Sequence, residues 1–591
     1  MKSYQFYALL LLSVLFNFKS ASAQSTKTQW AKAITGTNLY SYSNGNAIAV
    51  DKNGNVLTAG TFFDTCDLDP GSGVYNLIEY ESRPDIFIQK LDATGNFIWA
   101  KRIGGEYDQN VNAIATDSLG NVYITGYFED TIDFDPGAGV FNLMTTAANT
   151  FILKLNAAGQ FVWAKSFYGT AFDAGQALVL DKDANIYVTG AFMGTTDFDP
   201  NAGVQTFTAS GISGLADVFV VKLNTNGSLI WARQLGGPDD DRGYGIALDN
   251  SGNVLLTGEF ASTVDFDPGS GTQNLTAVSR ADVFILKLDG SGNLVWAKSV
   301  GGTWADVPNS LALDKSNNIF IGGDFGISSF VTNATCDFDP GPGVFNLTTN
   351  SSTDMFLLKL KPNGDFDWAK KLVGTPNNDD KMYEVTVDDS GYLYATGFFS
   401  YTMDFDPSAG EYMLKATDRY ITNRVGDYDV FIAKYSNVGN LVWAQNYGGE
   451  MHDLAGSITV DKKGTIYATG AYEDTAYFYP EDSTKMLLSG FQGSYVLKIG
   501  ADITNTNRLA ETNFMRNIKV YPNPNNGAFR IDIKGKGTLA IINAQGALVN
   551  DIHVNENTST IQIDALSNGI YFLTGTIDGI AIHEKIVVAV D

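Results

Sequence analysis

Short runs of alternating or wholly apolar residues recur along most of the chain. In the first copy of this pattern they cover residues 47–50, 56–61, 86–91 and 97–101. Runs of this length and polarity predict β-strands. The first two runs are joined by an Asp-Lys-Asn-Gly-Asn segment, in which glycine can adopt the positive φ of a tight hairpin turn. Each copy is therefore predicted to form a four-stranded antiparallel meander.

The pattern recurs from residue 44 to residue 500, and a Trp-Ala pair closes six of its copies. The seventh copy stops near residue 499 without such a pair, whereas Trp30 and Ala31 stand before the first copy. A sheet that is apolar on both faces cannot bury itself alone, so the copies must stack. We therefore expect an all-β fold with a seven-bladed β-propeller of four-stranded blades at residues 24–500. The N-terminal strand that carries Trp30 would complete the last blade. The six closing pairs begin at Trp99, Trp163, Trp231, Trp296, Trp368 and Trp443.

Composition narrows the possible functions. The 591 residues contain 39 Lys and Arg against 65 Asp and Glu, a net charge of −26. Binding to nucleic acid requires clustered basic side chains and is therefore excluded. Three histidines and two cysteines cannot supply a multi-histidine metal centre, a zinc-cysteine cluster or a disulfide framework. Cys66 and Cys336 lie in non-neighbouring copies and are expected to be buried thiols.

The first 23 residues have the features of a secretory signal peptide. Lys2 supplies a positive charge, residues 6–16 are apolar, and Ala21-Ser22-Ala23 offers a cleavage site. The mature protein is expected to start at Gln24. No later stretch approaches the ~18 apolar residues that a membrane-spanning helix needs, so no transmembrane helix is predicted.

The repeats resemble the SBBP-type β-propeller repeats of exported bacterial proteins. The similarity covers residues 29–500. It rests on a Thr-Gly pair in the second strand, an Asp-Phe-Asp-Pro motif, an Asp-x-Phe-x-x-Lys motif and the Trp-Ala-Lys segment. The resemblance implies a propeller scaffold, for which few activities are assigned.

Beyond a polar linker at residues 501–516, the composition changes. Residues 517–591 contain about seven short β runs separated by Gly and Asn turns, which is typical of a small β-sandwich. This segment resembles the C-terminal sorting domain of the type IX secretion system of Bacteroidota. The resemblance implies recognition by an outer-membrane translocon and a protein that is secreted or displayed at the cell surface. A sandwich that stays attached as a structural domain is the alternative. The motif residues are Tyr521, Pro522, Pro524, Gly527, Gly569, Tyr571 and Lys585.

The longer connections of each meander share one end of the predicted blades, and this end is acidic. Pairs of Asp bracket Leu or Phe and precede Pro in six copies, and carboxylates at positions i and i+2 of an extended segment face the same side. Oxygen ligands at this spacing suit Ca²⁺. Alternatively, Asp-Pro-Gly-x-Gly is a turn in its own right, in which Asp accepts hydrogen bonds from free N–H groups and Pro fixes φ. The pairs are Asp67 and Asp69, Asp133 and Asp135, Asp197 and Asp199, Asp265 and Asp267, Asp337 and Asp339, and Asp404 and Asp406.

Two further acidic series are expected at the same end. One opens the third strand and the other precedes the first strand of a copy. Together with the Asp pairs, they would form an acidic long-loop face. The first series is Asp85, Asp217, Asp282, Asp354 and Asp429, and the second is Asp108, Asp173, Asp241, Asp306, Asp380 and Asp453.

From these features we expect an exported, non-catalytic propeller that binds a glycan or a protein through its acidic long-loop face. Ca²⁺ is the one candidate cofactor, and no catalytic residue is assigned. A carbohydrate hydrolase or lyase that uses two loop carboxylates is an alternative, and a structural surface component is another. A deep cavity lined by unlike carboxylates would favour the hydrolase.

Overall fold

The described part of the chain is built from β-strands and contains no helix. A computed structural model gives the coordinates. Its contacts separate a unit at Ser25–Ala501 from a second unit that contains Asp502–Asp591. No helical segment in the described ranges could therefore span a bilayer. The predicted signal peptide and most of the predicted linker lie outside these ranges. The structure describes residues 26–38, 40–80, 83–211, 214–328, 333–375, 380–417, 427–480, 482, 484–501, 518–521, 528–533, 536–543, 548–555, 560–564, 566–577 and 580–588.

The strands of the first three repeats follow β1, which covers Thr26–Gly36. They are β2 (Tyr42–Val50), β3 (Val56–Phe63), β4 (Thr65–Asp67), β5 (Asn76–Ile78), β6 (Asp85–Leu91), β7 (Phe97–Ile103), β8 (Gln109–Thr116), β9 (Val122–Phe128), β10 (Thr131–Asp133), β11 (Asn142–Met144), β12 (Asn149–Leu155), β13 (Phe161–Ser166), β14 (Tyr168–Gly169), β15 (Asp173–Leu180), β16 (Ile186–Met193), β17 (Thr195–Asp197), β18 (Thr206–Thr208), β19 (Ala216–Leu223) and β20 (Leu229–Leu235).

The remaining repeats follow the same plan, except that the seventh lacks a separate short hairpin. Their strands are β21 (Arg242–Leu248), β22 (Val254–Phe260), β23 (Thr263–Asp265), β24 (Asn274–Thr276), β25 (Asp282–Leu288), β26 (Leu294–Gly302), β27 (Ala305–Leu313), β28 (Ile319–Ile327), β29 (Thr335–Asp337), β30 (Asn346–Thr348), β31 (Asp354–Leu360), β32 (Phe366–Gly374), β33 (Lys381–Val387), β34 (Leu393–Ser400), β35 (Thr402–Asp404), β36 (Met413–Lys415), β37 (Tyr428–Tyr435), β38 (Leu441–Gly449), β39 (Asp453–Val460), β40 (Ile466–Tyr477) and β41 (Leu487–Ala501).

The long strands pair as antiparallel meanders, which confirms the all-β prediction. β1 pairs with β41 and places Trp30 opposite Lys498. The first strand of the first repeat, β2, contacts both β8 and β39. In chain order the meanders are β2-β3-β6-β7, β8-β9-β12-β13, β15-β16-β19-β20, β21-β22-β25-β26, β27-β28-β31-β32, β33-β34-β37-β38 and β39-β40-β41-β1.

The Thr-Gly pair of the second strand has a packing role. Thr125 Oγ1 donates to the Phe151 carbonyl of the neighbouring third strand at 2.8 Å. A Cβ on Gly126 would lie 2.0 Å from the Asn110 carbonyl of the first strand. A larger residue at this position would therefore push the first strand out of the meander.

The recurrent tryptophans connect one repeat to the next. Trp163 Nε1 and Lys154 Nζ both donate to the Thr225 carbonyl, which lies in a turn of the following repeat, at 3.3 and 3.1 Å. We call this pair of bonds the Trp–Lys latch. Trp30 Nε1 and Lys498 Nζ make the same latch to the Ala93 carbonyl at 3.4 and 2.7 Å. This second latch joins β1 and β41 to a turn of the first repeat.

The C-terminal unit contains two antiparallel sheets that share one hydrophobic cluster. The sheets are β42-β43-β46 and β45-β44-β47-β48. Phe529 of one sheet and Leu573 of the other belong to the same buried cluster. The strands are β42 (Ile518–Tyr521), β43 (Phe529–Ile533), β44 (Gly537–Asn543), β45 (Leu548–Val554), β46 (Thr560–Ile563), β47 (Gly569–Ile577) and β48 (Ile580–Val588).

Trp30→Ala is expected to lower the free energy of unfolding by about 3–5 kcal/mol, because it removes a buried indole that packs against the first repeat. Urea denaturation followed by tryptophan fluorescence and circular dichroism measures this loss. Val74→Ala, at a residue that is 73% exposed, is the control and should change stability little. A loss below about 1 kcal/mol for Trp30→Ala would contradict the latch between the first and last repeats.

Candidate functional site

The six predicted Asp pairs lie in short hairpins between the second and third strands of their repeats. Asp67 Oδ1 accepts backbone hydrogen bonds from Asp69 at 3.0 Å and from Tyr75 at 2.8 Å. Asp69 Oδ1 accepts one from Gly71 at 2.8 Å. The other five copies repeat this arrangement. One oxygen of each predicted Asp therefore stabilises the turn itself.

The glycines of this motif also follow from the aspartates. A Cβ on Gly73 would lie 2.1 Å from Asp69 Oδ2, so the second carboxylate oxygen occupies the space that a side chain would fill. Leu68, between the two acids, is fully buried. These contacts are the ones that the turn interpretation predicts. No group of three or more His, Cys, Asp or Glu in the described ranges converges in a metal-binding arrangement. Calcium binding at the Asp pairs stays a prediction.

The two further acidic series do not extend an exposed face as expected. Their carboxyl groups are buried where consecutive repeats meet, with the exception of Asp108. Asp108 is exposed. The equivalent of Asp173 and Asp453 in this repeat is Gln109, because each of these three residues pairs with the end of the second strand of its own repeat. The residue four positions after the second glycine of a Gly-Gly pair is Asp241 in one repeat and Gln109 in another. The sequence prediction chose Asp108 because it looked for an aspartate, and Asp108 is one position too early. The buried members are Asp85, Asp173, Asp217, Asp241, Asp282, Asp306, Asp354, Asp380, Asp429 and Asp453.

The described sorting-motif residues lie in the C-terminal sheets. Tyr521 ends β42, Gly569 begins β47, and Lys585 of β48 pairs with Phe572. Tyr571 is buried, and its hydroxyl donates to the Ser567 carbonyl at 3.0 Å. This bond ties the loop before β47 to the sheet. Pro522, Pro524 and Gly527 lie outside the described residues.

A cavity of about 490 Å³ is bordered by the first strand of every meander. Each of these strands contains a β-bulge, and the one extra residue at each bulge lines the cavity. An extra residue shifts the local side-chain alternation, so a bulge can direct a side chain away from the pattern of its strand. The bulge residues are Asn46, Asn112, Gln176, Tyr244, Asn309, Tyr383 and Gly456.

One side of the cavity carries a connected set of carboxamides. Asn46 Nδ2 donates to Asn110 Oδ1 at 2.8 Å, and Asn110 Nδ2 donates to Asn112 Oδ1 at 3.0 Å. Gln492 Nε2 donates to Asn44 Oδ1 at 2.8 Å. These bonds fix the orientation of the side chains, while each amide keeps further capacity to donate or accept.

Aromatic side chains and one cation lie on the other side. The Tyr244 hydroxyl donates to Glu259 Oε1 at 2.7 Å. Lys381 Nζ lies 5.4 Å from the centre of the Tyr383 ring. Asn309 donates to Asp324 at 2.8 Å and is thereby held at its bulge. The cavity therefore combines oriented amides with two phenol rings.

Carboxyl groups lie behind this lining and do not form part of it. Burial raises the pKa of Asp324 to about 7, even though Asn309 and the Met382 amide donate to it. Burial also raises the pKa of Glu259. Glu384 accepts from Ser457 Oγ and the Ile458 amide, and burial raises its pKa to about 7. The lining presents neutral groups and Lys381 to a ligand.

The repeated sequence pattern predicts the strands and turns but does not predict this cavity. Its signal is a polar residue in the middle of six of the seven first strands, as in the Ser-Asn-Gly-Asn-Ala segment of the first repeat; the seventh has Gly456 at this place. The bulge moves that residue out of alternation by one position, so a pattern of period two assigns it to the wrong face.

Family models match both units of the chain. The SBBP β-propeller repeat matches residues 98–127 and 230–259, and the secretion system C-terminal sorting domain matches residues 519–589. The chain thus carries SBBP β-propeller repeats and a type IX sorting domain. It is an exported protein, secreted or at the cell surface.

Two curated relatives are similar to half or more of this chain. An uncharacterized WD repeat-containing protein of Acanthamoeba polyphaga mimivirus is 23% identical over 529 residues, 77% of this chain and 37% of its own length. The regulatory protein FlaEY of Caulobacter vibrioides is 24% identical over 316 residues, 52% of this chain and 31% of its own. The chain spans about a third of the length of these relatives.

Two solved structures align with most of this chain at low identity and low TM-score. One is described as the extracellular domain of a hybrid two component system from B. thetaiotaomicron, with 9% identity, a TM-score of 0.16, and coverage of 95% of this chain and 99% of its own. Another is a GH43_12 protein from a capybara gut metagenome, with 11% identity, a TM-score of 0.22, and coverage of 96% of each chain. TM-scores this low do not establish a shared fold.

The hairpin geometry predicts different effects for two substitutions of Asp133. Asp133→Ala removes the acceptor for two backbone N–H groups and should lower the free energy of unfolding by about 1–3 kcal/mol. Asp133→Asn keeps an acceptor oxygen and should change it by less than about 1 kcal/mol. Calorimetry with and without a calcium chelator checks both. A melting temperature of the unmodified protein that falls on chelation would favour the calcium interpretation over the turn.

Proposed function

We propose that the chain is an exported, closed seven-bladed β-propeller that binds a neutral glycan in its central cavity and does not catalyse a reaction. The domains would be a signal peptide at residues 1–23, the propeller at 24–500, a linker at 501–516 and the sorting domain at 517–591. The observation that carries the proposal is the ring of bulge residues that border one cavity.

Three contacts support closure of the ring. β1 supplies the fourth strand beside β41. The Trp30 latch reaches the first repeat as internal latches reach their neighbours. A buried cluster joins Trp30 and Ile48 to Tyr467 of the last repeat. Each meander would then be one blade, with its first strand nearest the axis.

The lining supports a glycan as the ligand. Sugar hydroxyls both donate and accept hydrogen bonds, and carboxamides do the same from one side chain. Tyrosine offers an apolar ring face together with a hydroxyl. The cavity has a volume typical of small-molecule sites. A polymer with many negative charges would meet only Lys381 in a chain of net charge −26.

The acidic hairpins are a second place where a ligand could bind, as the sequence predicts. Their first oxygens already accept backbone hydrogen bonds, so a ligand or a calcium ion there would use the remaining oxygens. A groove beside the fourth hairpin includes Asp265, Asp267 and Arg233. The hydrolase alternative would need carboxyl groups such as Glu259 to move into the cavity.

Binding of the full chain to an array of neutral oligosaccharides, acidic oligosaccharides and peptides tests the proposal. Asn112→Ala and Tyr383→Ala should each weaken binding of a neutral oligosaccharide about tenfold or more, equivalent to ~1.4 kcal/mol. Gln273→Ala, at an exposed carboxamide on a hairpin, is the matched control. Titration calorimetry measures the affinities.

Three results would contradict the proposal. One is selective binding of peptides or acidic glycans. Another is neutral-glycan binding that Asp133→Ala abolishes and Tyr383→Ala leaves intact, which would place the site on the acidic hairpins. The third is release of new reducing ends from the bound oligosaccharide, which would indicate a hydrolase.

A further inference from the structure

Buried acid pairs lie where consecutive repeats meet. The first acid opens the third strand of one repeat, and the second lies at the start of the next repeat's first strand. The two acids of a junction meet at one Gly-Gly pair. A Cβ on Gly236 would lie 2.2 Å from the Asp217 carboxyl carbon, and the Gly237 amide donates to Asp241 at 2.6 Å. The charge of each first acid also raises the pKa of the second. We call these pairs the junction pairs. They are Asp217 and Asp241, Asp282 and Asp306, and Asp429 and Asp453. Asp354 and Asp380 occupy the same positions at another junction, but Ser351 donates to Asp354 Oδ1 there, so we do not count them among the junction pairs.

At the last junction the two carboxyl groups approach the same glycine. A Cβ placed on Gly448 would lie 2.5 Å from Asp429 Oδ1 and 2.7 Å from Asp453 Oδ2, which limits the separation of these oxygens to about 5.2 Å. Both residues are fully buried. A side chain at residue 448 would therefore displace the pair.

Hydrogen-bond donors are available for most of these oxygens but not for all. Asp217 Oδ2 accepts from the Ser210 amide and from Gln234 Nε2, and Asp241 accepts from the Gly237 and Ala261 amides. Among the described residues, no donor reaches Asp217 Oδ1. The corresponding Oδ1 atoms of Asp282 and Asp429 also lack one within those ranges. Oδ1 of the first acid is thus left without a donor in all three pairs, and among the described residues Asp306 Oδ2 and Asp453 Oδ1 have no donor either.

At two other junctions an amide replaces one of the two acids, which allows a comparison. At the first junction Gln109 takes the place of the second acid, and its Nε2 donates to Asp85 Oδ1 at 3.0 Å. At the second junction the strand-opening residue is Asn149 and one acid, Asp173, remains. At the first junction the amide therefore supplies a donor to the acid. At the second, Asn149 Nδ2 donates to Thr145 Oγ1, and the Thr196 hydroxyl donates to Asp173. Where both are acids, two buried carboxylates side by side would repel each other and leave an oxygen without a partner.

We propose that each of the three junction pairs is a proton-binding site, in which one carboxyl group stays protonated and donates its O–H to the other. The proton comes from solvent and converts one carboxylate into a carboxylic acid. A bound cation is the rival occupant. It fits less well, because at least one oxygen of every carboxyl group already accepts from an N–H group, and Ca²⁺ needs six to eight oxygen ligands.

The consequence is a stability that depends on pH. Burial and the neighbouring Asp217 raise the pKa of Asp241 to about 7, and burial raises the pKa of Asp282 to about 6. An unfolded Asp has a pKa of about 3.9. The folded protein therefore binds more protons than the unfolded chain between about pH 4 and 7. The stabilisation is present at the low end of this window and is lost as pH rises through the folded-state values.

Other charged groups near the pairs must be separated from this effect. Beside Asp241, Arg242 lies between Asp240 at 3.5 Å and Glu259 at 3.8 Å. The buried thiol of Cys336 faces Asp306. Near the last pair lie Asp427, Glu473 and His452. Histidine changes charge in the same pH range, so the first two pairs are the better test.

Asp217→Asn and Asp282→Asn are the decisive variants. Each keeps an acceptor where Oδ2 is used and places an N–H₂ donor where Oδ1 has none, so that an amide faces an acid as Gln109 faces Asp85. In the full-length protein each variant should melt a few degrees higher than the unmodified protein at pH 8, with little or no gain at pH 5. The number of protons taken up on folding, obtained from the pH dependence of unfolding, should fall by about one per variant.

Two controls fix the interpretation. Asp354→Asn should give no gain at pH 8, because Ser351 already donates to Asp354 Oδ1 and Lys371 lies 3.6 Å from its other oxygen. Gln109→Glu creates a new acid pair with Asp85 and should lower the melting temperature more at pH 8 than at pH 5. Equal shifts at both pH values would overturn the proposal. So would a rise of the melting temperature at pH 8 on adding CaCl₂ that Asp217→Asn abolishes, because a cation would then occupy the site.

Discussion

Hydrogen bonds from one tryptophan and one lysine to a carbonyl of the next repeat recur through the large unit, at Trp30, Trp99, Trp163, Trp231 and Trp368. Its inner strands are apolar on both faces, so no meander is stable without a neighbour on each side. The Trp163 indole covers apolar surface while its N–H and the Lys154 ammonium meet the same carbonyl. Because the contact is directional, it also sets the order and the angle of successive repeats.

Most of the short sequence signatures of the repeat follow from burying polar groups beside this contact. In each Gly-Gly pair, the first glycine leaves room for a buried carboxyl group, and the second approaches the short hairpin of the next repeat. A Cβ on Gly236 would lie 2.2 Å from the Asp217 carboxyl carbon, and one on Gly237 would lie 2.9 Å from the Thr263 carbonyl. Glycine, aspartate and tryptophan thus recur together because each fills space that the others leave.

The sequence was enough for the parts of the fold that local chemistry determines. Strand order within a repeat, the Asp-x-x-Gly-Asn turns and the pairing of the Trp30 strand with the last repeat all follow from polarity and turn residues. The cavity could not be predicted in this way, because a β-bulge is an irregularity of pairing between two strands. Asn112 and Tyr383 share a role in the structure but no residue type, so a search for repeated residues misses them.

Two polar systems therefore coexist in one unit and have opposite requirements. Apart from Lys381, the described lining of the cavity is neutral, and its amides are oriented by one another, which leaves capacity for a ligand. The acids are withdrawn into hairpins and repeat junctions, where backbone N–H groups and neighbouring side chains occupy most of their oxygens. This separation explains how a chain with 65 acidic residues can present a cavity whose described lining residues include no carboxylate. Recognition there would depend on hydrogen-bond geometry and ring contacts, with little contribution from long-range charge.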